Sequence, residues 1–361
     1  MAETDALIIG ASLAGCITAK HAARKGIDVT VLEEHRKVGK QGQCTALVSA
    51  SGLPSLGVKY KPSVVHQVKG AFLHAPHATL EVRAPETKAF VLDRQKFDEQ
   101  CAREAREAGA RIMLDEAALK YTGNSVRTHK HRWKTRVLVG ADGASSWCAR
   151  EQDFPAIPSK KYALCYEAEF SRARVDDEEM VHMFLDRQKF PGFFAWLVPT
   201  GGGARIGLGT TRHKTLSKGR EALFNHPLVR EAIGKARQVK EFHALIPLQV
   251  REKTQLGTTL LVGDAAGQVK ATTGGGWVYG GNCAKLAGEN IAAYLQEEAP
   301  LEYERIWRAK YGRHLKWHSR LRTLLDSMGN HRLDALVASL SVVKFNRLLE
   351  KFGDMDFVVK R

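Results

Sequence analysis

"ALIIGASLAGCITAKHAARKGIDVTVLE", Ala6 to Glu33, decides the fold. Residues 6–9 form a short apolar run of the kind buried inside a parallel sheet. The turn "GASLAG" follows, then a helix of small residues closed by Gly26, then a second strand ending at Glu33. Strand, tight turn, helix, strand and acid in that order describe a dinucleotide-binding unit. Gly10 permits the turn, and Gly15 lets the helix lie close to the sheet. Ser12 stands where backbone approaches a pyrophosphate and glycine is usual; it is the smallest polar substitute. Glu33 sits where a carboxylate can take both hydroxyls of an adenosine ribose, and its charge would repel a 2′-phosphate.

Two later segments repeat this logic. "RVLVGADGASSWCAR" places a strand before Asp142, and "TLLVGDAAGQVKATTGGGWVYGG" places one before Asp264. The second ends in glycines that open a long helix near Gly276, whose free N–H groups would face an anion or an electron-rich carbonyl. Between them and the first turn, "VLDRQKFDEQCAREAREAGARI" runs from a strand into an amphipathic helix. Phe97, Cys101 and Ala105 share one side of it, and Arg94 stands at its entry.

The 361 residues can bury a large core, and 55 Lys and Arg against 39 Asp and Glu give a net charge of +16. Such a surplus suits an anionic partner or simple solvation. Six cysteines without CxxC spacing argue against a zinc site and against a disulfide-stapled secreted module, so no metal is expected. No apolar run reaches the ~18 residues of a membrane span. A reduced, cytoplasmic protein is expected, with attachment to a membrane surface left open.

"GFFAWLVPTGGGARIGLGT", Gly192 to Thr210, poses a separate question. Alternation along a strand puts Phe194, Trp196 and Val198 on one side and Phe193, Ala195 and Leu197 on the other. Either both faces are core, or one lines a cavity for something apolar.

The set of motifs resembles the flavin-dependent monooxygenase superfamily with the para-hydroxybenzoate hydroxylase fold, and within it the geranylgeranyl reductases. "GASLAG", Asp142-Gly143 and Gly263-Asp264 match its three cofactor motifs. Phe194, Trp196, Val198 and Pro199, then Gly207 and Gly209, match the reductases' aromatic motif, with valine where phenylalanine is usual. The resemblance implies an α/β fold with an α+β substrate domain. A glutathione-reductase-type FAD-binding Rossmann domain (residues 1–60, 92–157 and 253–300) interleaves with an antiparallel-sheet substrate domain (61–91 and 158–252). Helices would fill 301–361.

It further implies FAD held by Gly10, Ser12, Ala14, Gly15 and Glu33 at the ADP half, with Ala118 beside the adenine. Arg94, Asp142 and Asp264 would support the rest of the cofactor, and Gly275, Gly276 and Trp277 the flavin edge. Cys44, Thr45 and Leu47 would line the ring. Cys44 is the one candidate catalytic side chain, since an ordinary thiol (pKa about 8.5) is a useful acid only where its site tunes it. Phe194, Trp196, Val198 and Pro199 would form the substrate pocket. The implied reaction saturates isolated C=C bonds of a polyprenyl lipid, quinone or pigment, with NADPH or a ferredoxin-like protein as electron donor.

After residue 300, basic residues interleave with Trp307 and Trp317, with breaks expected at Gly312 and Gly329-Asn330. Such a patch suits either a helical cap on the substrate domain or an anionic membrane surface. Two rivals remain. A flavin-dependent aromatic monooxygenase or halogenase is one, although "FFAWLVP" lacks the first tryptophan of the halogenase G-W-x-W-x-I-P. The other is a non-enzymatic nucleic-acid binder using "RTHKHRWKTR"; the cofactor motifs weigh against it, and no nucleic acid is expected as a partner.

Overall fold

The computed structural model describes residues 1–40, 44–342 and 356. The strand Ala2–Ile9 sits at the centre of an eight-stranded sheet, parallel to Val29–Leu32 on one side and to Arg132–Gly140 on the other. Arg111–Met113 and Thr259–Leu261 extend the parallel core outward. The apolar run after Asp5 is buried on both faces because helices cover one side and a second cluster covers the other. On the covered side pack Leu13–Ala23, Arg94–Glu107 and Trp277–Gln296.

Seven strands form a second sheet, in the order Arg237–Pro247, Tyr162–Ser171, Gly203–Thr210, Ala195–Pro199, Met180–Phe184, Gly70–His74, Thr79–Arg83. The expectation of an antiparallel sheet needs one amendment: Met180–Phe184 runs parallel to Gly70–His74. These two strands are joined by a long excursion through the first sheet, so no hairpin forces them antiparallel. A small antiparallel sheet of Leu47–Ser49, Ala89–Leu92 and Val64–Val68 adjoins the other two.

The C-terminal helices depart from expectation twice. Gly312 does not break the chain: the helix Tyr303–Trp307 continues through a π-turn, Arg308–Gly312, into Arg313–Asp326. A widened turn absorbs the glycine without ending the hydrogen-bond ladder. Trp307 is fully buried in the first core, and its Nε1–H donates to Thr254 Oγ1 at 2.8 Å, so it belongs to no surface patch. The break at Gly329 is present, and Asn330–Val342 forms the next helix. No helix among the described residues is long and apolar enough to cross a membrane.

Candidate active site

Where the parallel strands end, the chain opens into one cleft of ≈ 900 Å³ that runs from the first turn to the second sheet. Its first end is built from backbone. Gly10 has φ +101°, and a Cβ there would meet the Ala141 carbonyl oxygen at 2.5 Å. Gly15 packs tighter still, with a Cβ position only 1.9 Å from the Gly10 oxygen, so it braces helix against turn and does not itself line the cleft. Ser12, Ala14, Glu33 and Ala118 do line it.

The Glu33 carboxylate accepts the Ala11 N–H at 2.9 Å and the His35 N–H at 3.1 Å, which fixes it at the strand end. Asp98 accepts from the Leu13 N–H at 3.0 Å and so caps the first helix from a neighbouring one. Asp98 also pairs with Arg94 at 2.7 Å. Burial works against the Arg94 charge, yet Asp98 holds the guanidinium above its usual range. Arg94 donates to Ser12 Oγ at 3.1 Å and lies 4.9 Å from the centre of the Trp277 ring.

The middle of the cleft fits a polar, partly anionic ligand. Asp142 Oδ2 accepts the Cys148 N–H at 2.8 Å, but its buried Oδ1 has no partner among the described residues. Neither has the Trp277 Nε1 among the described residues. Buried polar atoms left this way cost free energy until a ligand satisfies them. Burial also pushes the carboxyls of Asp142 and Asp264 up, with Arg94 pulling Asp264 back. Gly275 and Gly276 precede Trp277–Gln296, whose first N–H groups carry no side-chain cap. A Cβ on Gly276 would come within 2.9 Å of Asp264 Oδ1. A dinucleotide carrying hydroxyls, phosphates and an electron-rich ring edge meets these requirements.

The far end is apolar. Ala195 and Leu197 face the core behind the second sheet, whereas Phe194, Trp196 and Val198 belong to a cluster that walls the cleft. Phe193 joins that wall, contrary to the alternation read from the sequence. It precedes the strand, after a turn at Gly192, and stacks on Phe194 with ring centres 4.3 Å apart. Gly207 and Gly209 lie beneath these rings: a Cβ at either would stand 2.5 Å from Trp196 or Phe193. Pro199, expected in the pocket, does not line it. Cys44, Thr45 and Leu47 do, and Cys44 Sγ accepts the Ala46 N–H at 3.3 Å.

Sequence reasoning missed Glu167. It lies on Tyr162–Ser171 with the parity of Ala163 and Cys165, lines the cleft, and is 2% exposed. Trp196 Nε1–H donates to its Oε2 at 2.8 Å, and Thr45 Oγ donates to the same oxygen. The one signal was a pair of acids, Glu167 and Glu169, in the cavity-facing register of "YALCYEAEF".

Comparison with known proteins places this geometry. Residues 3–304 match a family described as an FAD binding domain. The chain is 32% identical to the digeranylgeranylglycerophospholipid reductase 2 of Methanothermobacter thermautotrophicus, over 97% of each chain. To the protein of the same name from Methanopyrus kandleri it is 30% identical, over 96% of this chain and 93% of that one. Among solved structures, a geranylgeranyl bacteriochlorophyll reductase-like protein of Thermoplasma acidophilum superposes with a TM-score of 0.85 at 21% identity, covering 94% and 92% of the two chains. The flavin-dependent brominase Bmp2 does so with 0.76 at 13% identity, covering 96% and 93%. The shared mixed α/β fold therefore extends beyond the reductases, while two full-length relatives at 30% identity and above carry the reductase name: the chain is an FAD-dependent oxidoreductase belonging to the geranylgeranyl reductase family.

Proposed function

We propose that the protein saturates isolated C=C bonds in the geranylgeranyl chains of a membrane phospholipid. One observation carries this: a single cleft joins the nucleotide turns at Gly10 and Gly276 to an apolar wall of Phe194, Trp196 and Val198. Its full-length relatives named for a digeranylgeranyl phospholipid favour that lipid over a quinone or a pigment.

In this reading residues 1–60, 92–157 and 253–300 form the cofactor domain, and 61–91 with 158–252 the substrate domain. Gly10, Ser12 and Ala14 surround the pyrophosphate, Glu33 takes the ribose hydroxyls, and Ala118 backs the adenine. Arg94 and Asp264 hold the ribityl chain, Asp142 supports the centre, and Gly275, Gly276 and Trp277 present N–H groups to the ring edge. Cys44, Thr45 and Leu47 lie along the ring. When bound and reduced, FAD supplies the hydride. An isolated alkene has no carbonyl to polarise it, so the residues of the chain must contribute position and a proton. Phe194, Trp196 and Val198 provide position by excluding water and confining the prenyl chain.

The protein is cytoplasmic and peripheral. The exposed stripe of Arg313–Asp326, made of Arg313, Lys316, Trp317, Arg320 and Leu324, rests on an anionic bilayer from which the lipid enters. NADPH or a ferredoxin-like protein supplies the electrons, and anaerobic bleaching of the flavin by each identifies which.

Protein reduced anaerobically with dithionite is incubated with a digeranylgeranyl phospholipid and the product weighed by mass spectrometry. A gain of two hydrogens per saturated bond is expected. An unchanged lipid mass, with oxygen consumption stimulated by an aromatic compound instead, overturns the reading in favour of a monooxygenase.

A further inference from the structure

We propose that Glu167 is the acid that protonates the alkene, with Thr45 and Trp196 as the residues that aim it. The inference rests on the reductase reading and names the proton source that the cofactor motifs leave unassigned.

The geometry is specific. Both donors, Thr45 Oγ and Trp196 Nε1, bond the same carboxyl oxygen, Oε2. Oε1 has no hydrogen-bond partner among the described residues, and Glu167 lines the cleft together with Cys44, Phe194 and Trp196. A carboxyl held through one oxygen carries its proton on the other, here the oxygen left free for the cleft. The indole of Trp196 thereby serves twice: its ring walls the pocket, and its N–H orients the acid.

The surroundings favour the neutral form. Burial pushes the Glu167 carboxyl above the usual carboxylate range, and Glu169 on its own strand adds to this. The bonds from Thr45 and Trp196 and the charge of Arg205 act in the opposite direction. Arg205 is itself engaged, donating to the Thr45 and Leu92 carbonyl oxygens at 2.7 and 2.9 Å. The nearby Cys165 thiol is pushed up by burial and adds no charge.

In the step, one alkene carbon gains the hydride with its electron pair. The other forms a C–H bond as the Glu167 O–H bond breaks, its pair remaining on the carboxylate. The alkene is reduced, the flavin oxidised, and water reprotonates Glu167 between turnovers.

The test is single-turnover reoxidation of the reduced holoenzyme by a digeranylgeranyl phospholipid, from pH 5 to 9, in wild type, Glu167→Gln and Glu167→Asp. The donor is the protonated form, so the wild-type rate is flat at low pH and falls about tenfold per unit above the raised pKa. Glu167→Gln keeps its flavin but slows by about 100-fold or more and loses that fall. Glu167→Asp retains the fall at a lower rate. Infrared difference spectra of the oxidised holoenzymes add a readout without turnover: a protonated carboxyl band in wild type, shifted in the aspartate variant and missing in the glutamine variant. Should Glu167→Gln fail to fold, a wild-type rate constant across the pH range overturns the proposal. Wild-type turnover matched by Glu167→Gln overturns the proton assignment alone. A wild type that leaves the lipid unreduced overturns the reductase reading and the assignment with it.

Discussion

The turn at Gly10–Gly15 and the strand Ala195–Pro199 lie at opposite ends of one cleft and hold their shapes by different means. The turn is made of neighbours in sequence. Its atoms approach within distances that no side chain tolerates, and its N–H groups and Ser12 hydroxyl meet three side chains, Glu33, Asp98 and Arg94. The strand is made of strangers. Trp196 reaches Glu167, Glu167 reaches Thr45, and the rings lie over glycines on a third segment. A local device tolerates little change but depends on few partners; a distributed one can be altered piecemeal, losing one property at a time.

Glycine substitutions break this comparison most directly. Gly15→Val puts a branched side chain where even a Cβ lies 1.9 Å from the Gly10 oxygen. We expect a loss of about 3 kcal/mol of stability, together with all bound flavin, measured by urea unfolding and by visible absorbance. A stable, yellow variant would mean that the turn is less constrained than its geometry implies. Gly207→Ala makes the smaller change at the other end, forcing the Trp196 ring from its 2.5 Å contact position. Here we expect about 2 kcal/mol of destabilisation, with flavin retained and lipid reduction lost. If flavin disappears instead, the two ends are not separable.

Glu33→Gln sharpens the contrast without steric change. It removes the charge from hydrogen bonds to the Ala11 and His35 N–H groups and from those proposed to the ribose. About 1.5 kcal/mol of FAD affinity should go, roughly a tenfold rise in Kd by calorimetry. The lipid reaction at saturating FAD should be unchanged.

The same contrast explains what could be read from the sequence. The order of strand, turn, helix and acid is local, so Gly10, Glu33 and the parallel strands around them were legible from spacing, whereas Asp142 and Asp264 gained their cofactor roles from the family resemblance. Glu167 was not, because its two partners lie 122 and 29 residues away. Phe193 was misplaced because alternation holds only inside a strand, and the strand begins two residues later, at Ala195. Trp307 misled for a related reason: tryptophans among basic residues look alike whether the ring faces solvent or core. In the structure Arg308 covers the buried Trp307 ring at 4.7 Å and pairs with Glu304.

Removing Trp307 from the supposed basic patch leaves a narrower surface with a smaller expected effect. Trp317 is 42% exposed and Leu324 54%, on the same stripe as Arg313, Lys316 and Arg320. One helix face with two apolar anchors and three cations can hold a protein at a lipid headgroup layer, each cation adding about 1 kcal/mol near an anionic surface. The double variant Lys316→Glu with Arg320→Glu reverses two of these charges without touching either cleft end. It should float poorly with anionic vesicles while binding FAD and unfolding as wild type does, within about 0.5 kcal/mol. High salt should weaken wild-type binding in the same assay, because the attraction is screened over about 10 Å at 0.1 M. Equal flotation of wild type with neutral and anionic vesicles would remove the electrostatic surface. The lipid would then have to reach Phe194 and Trp196 without help from this helix.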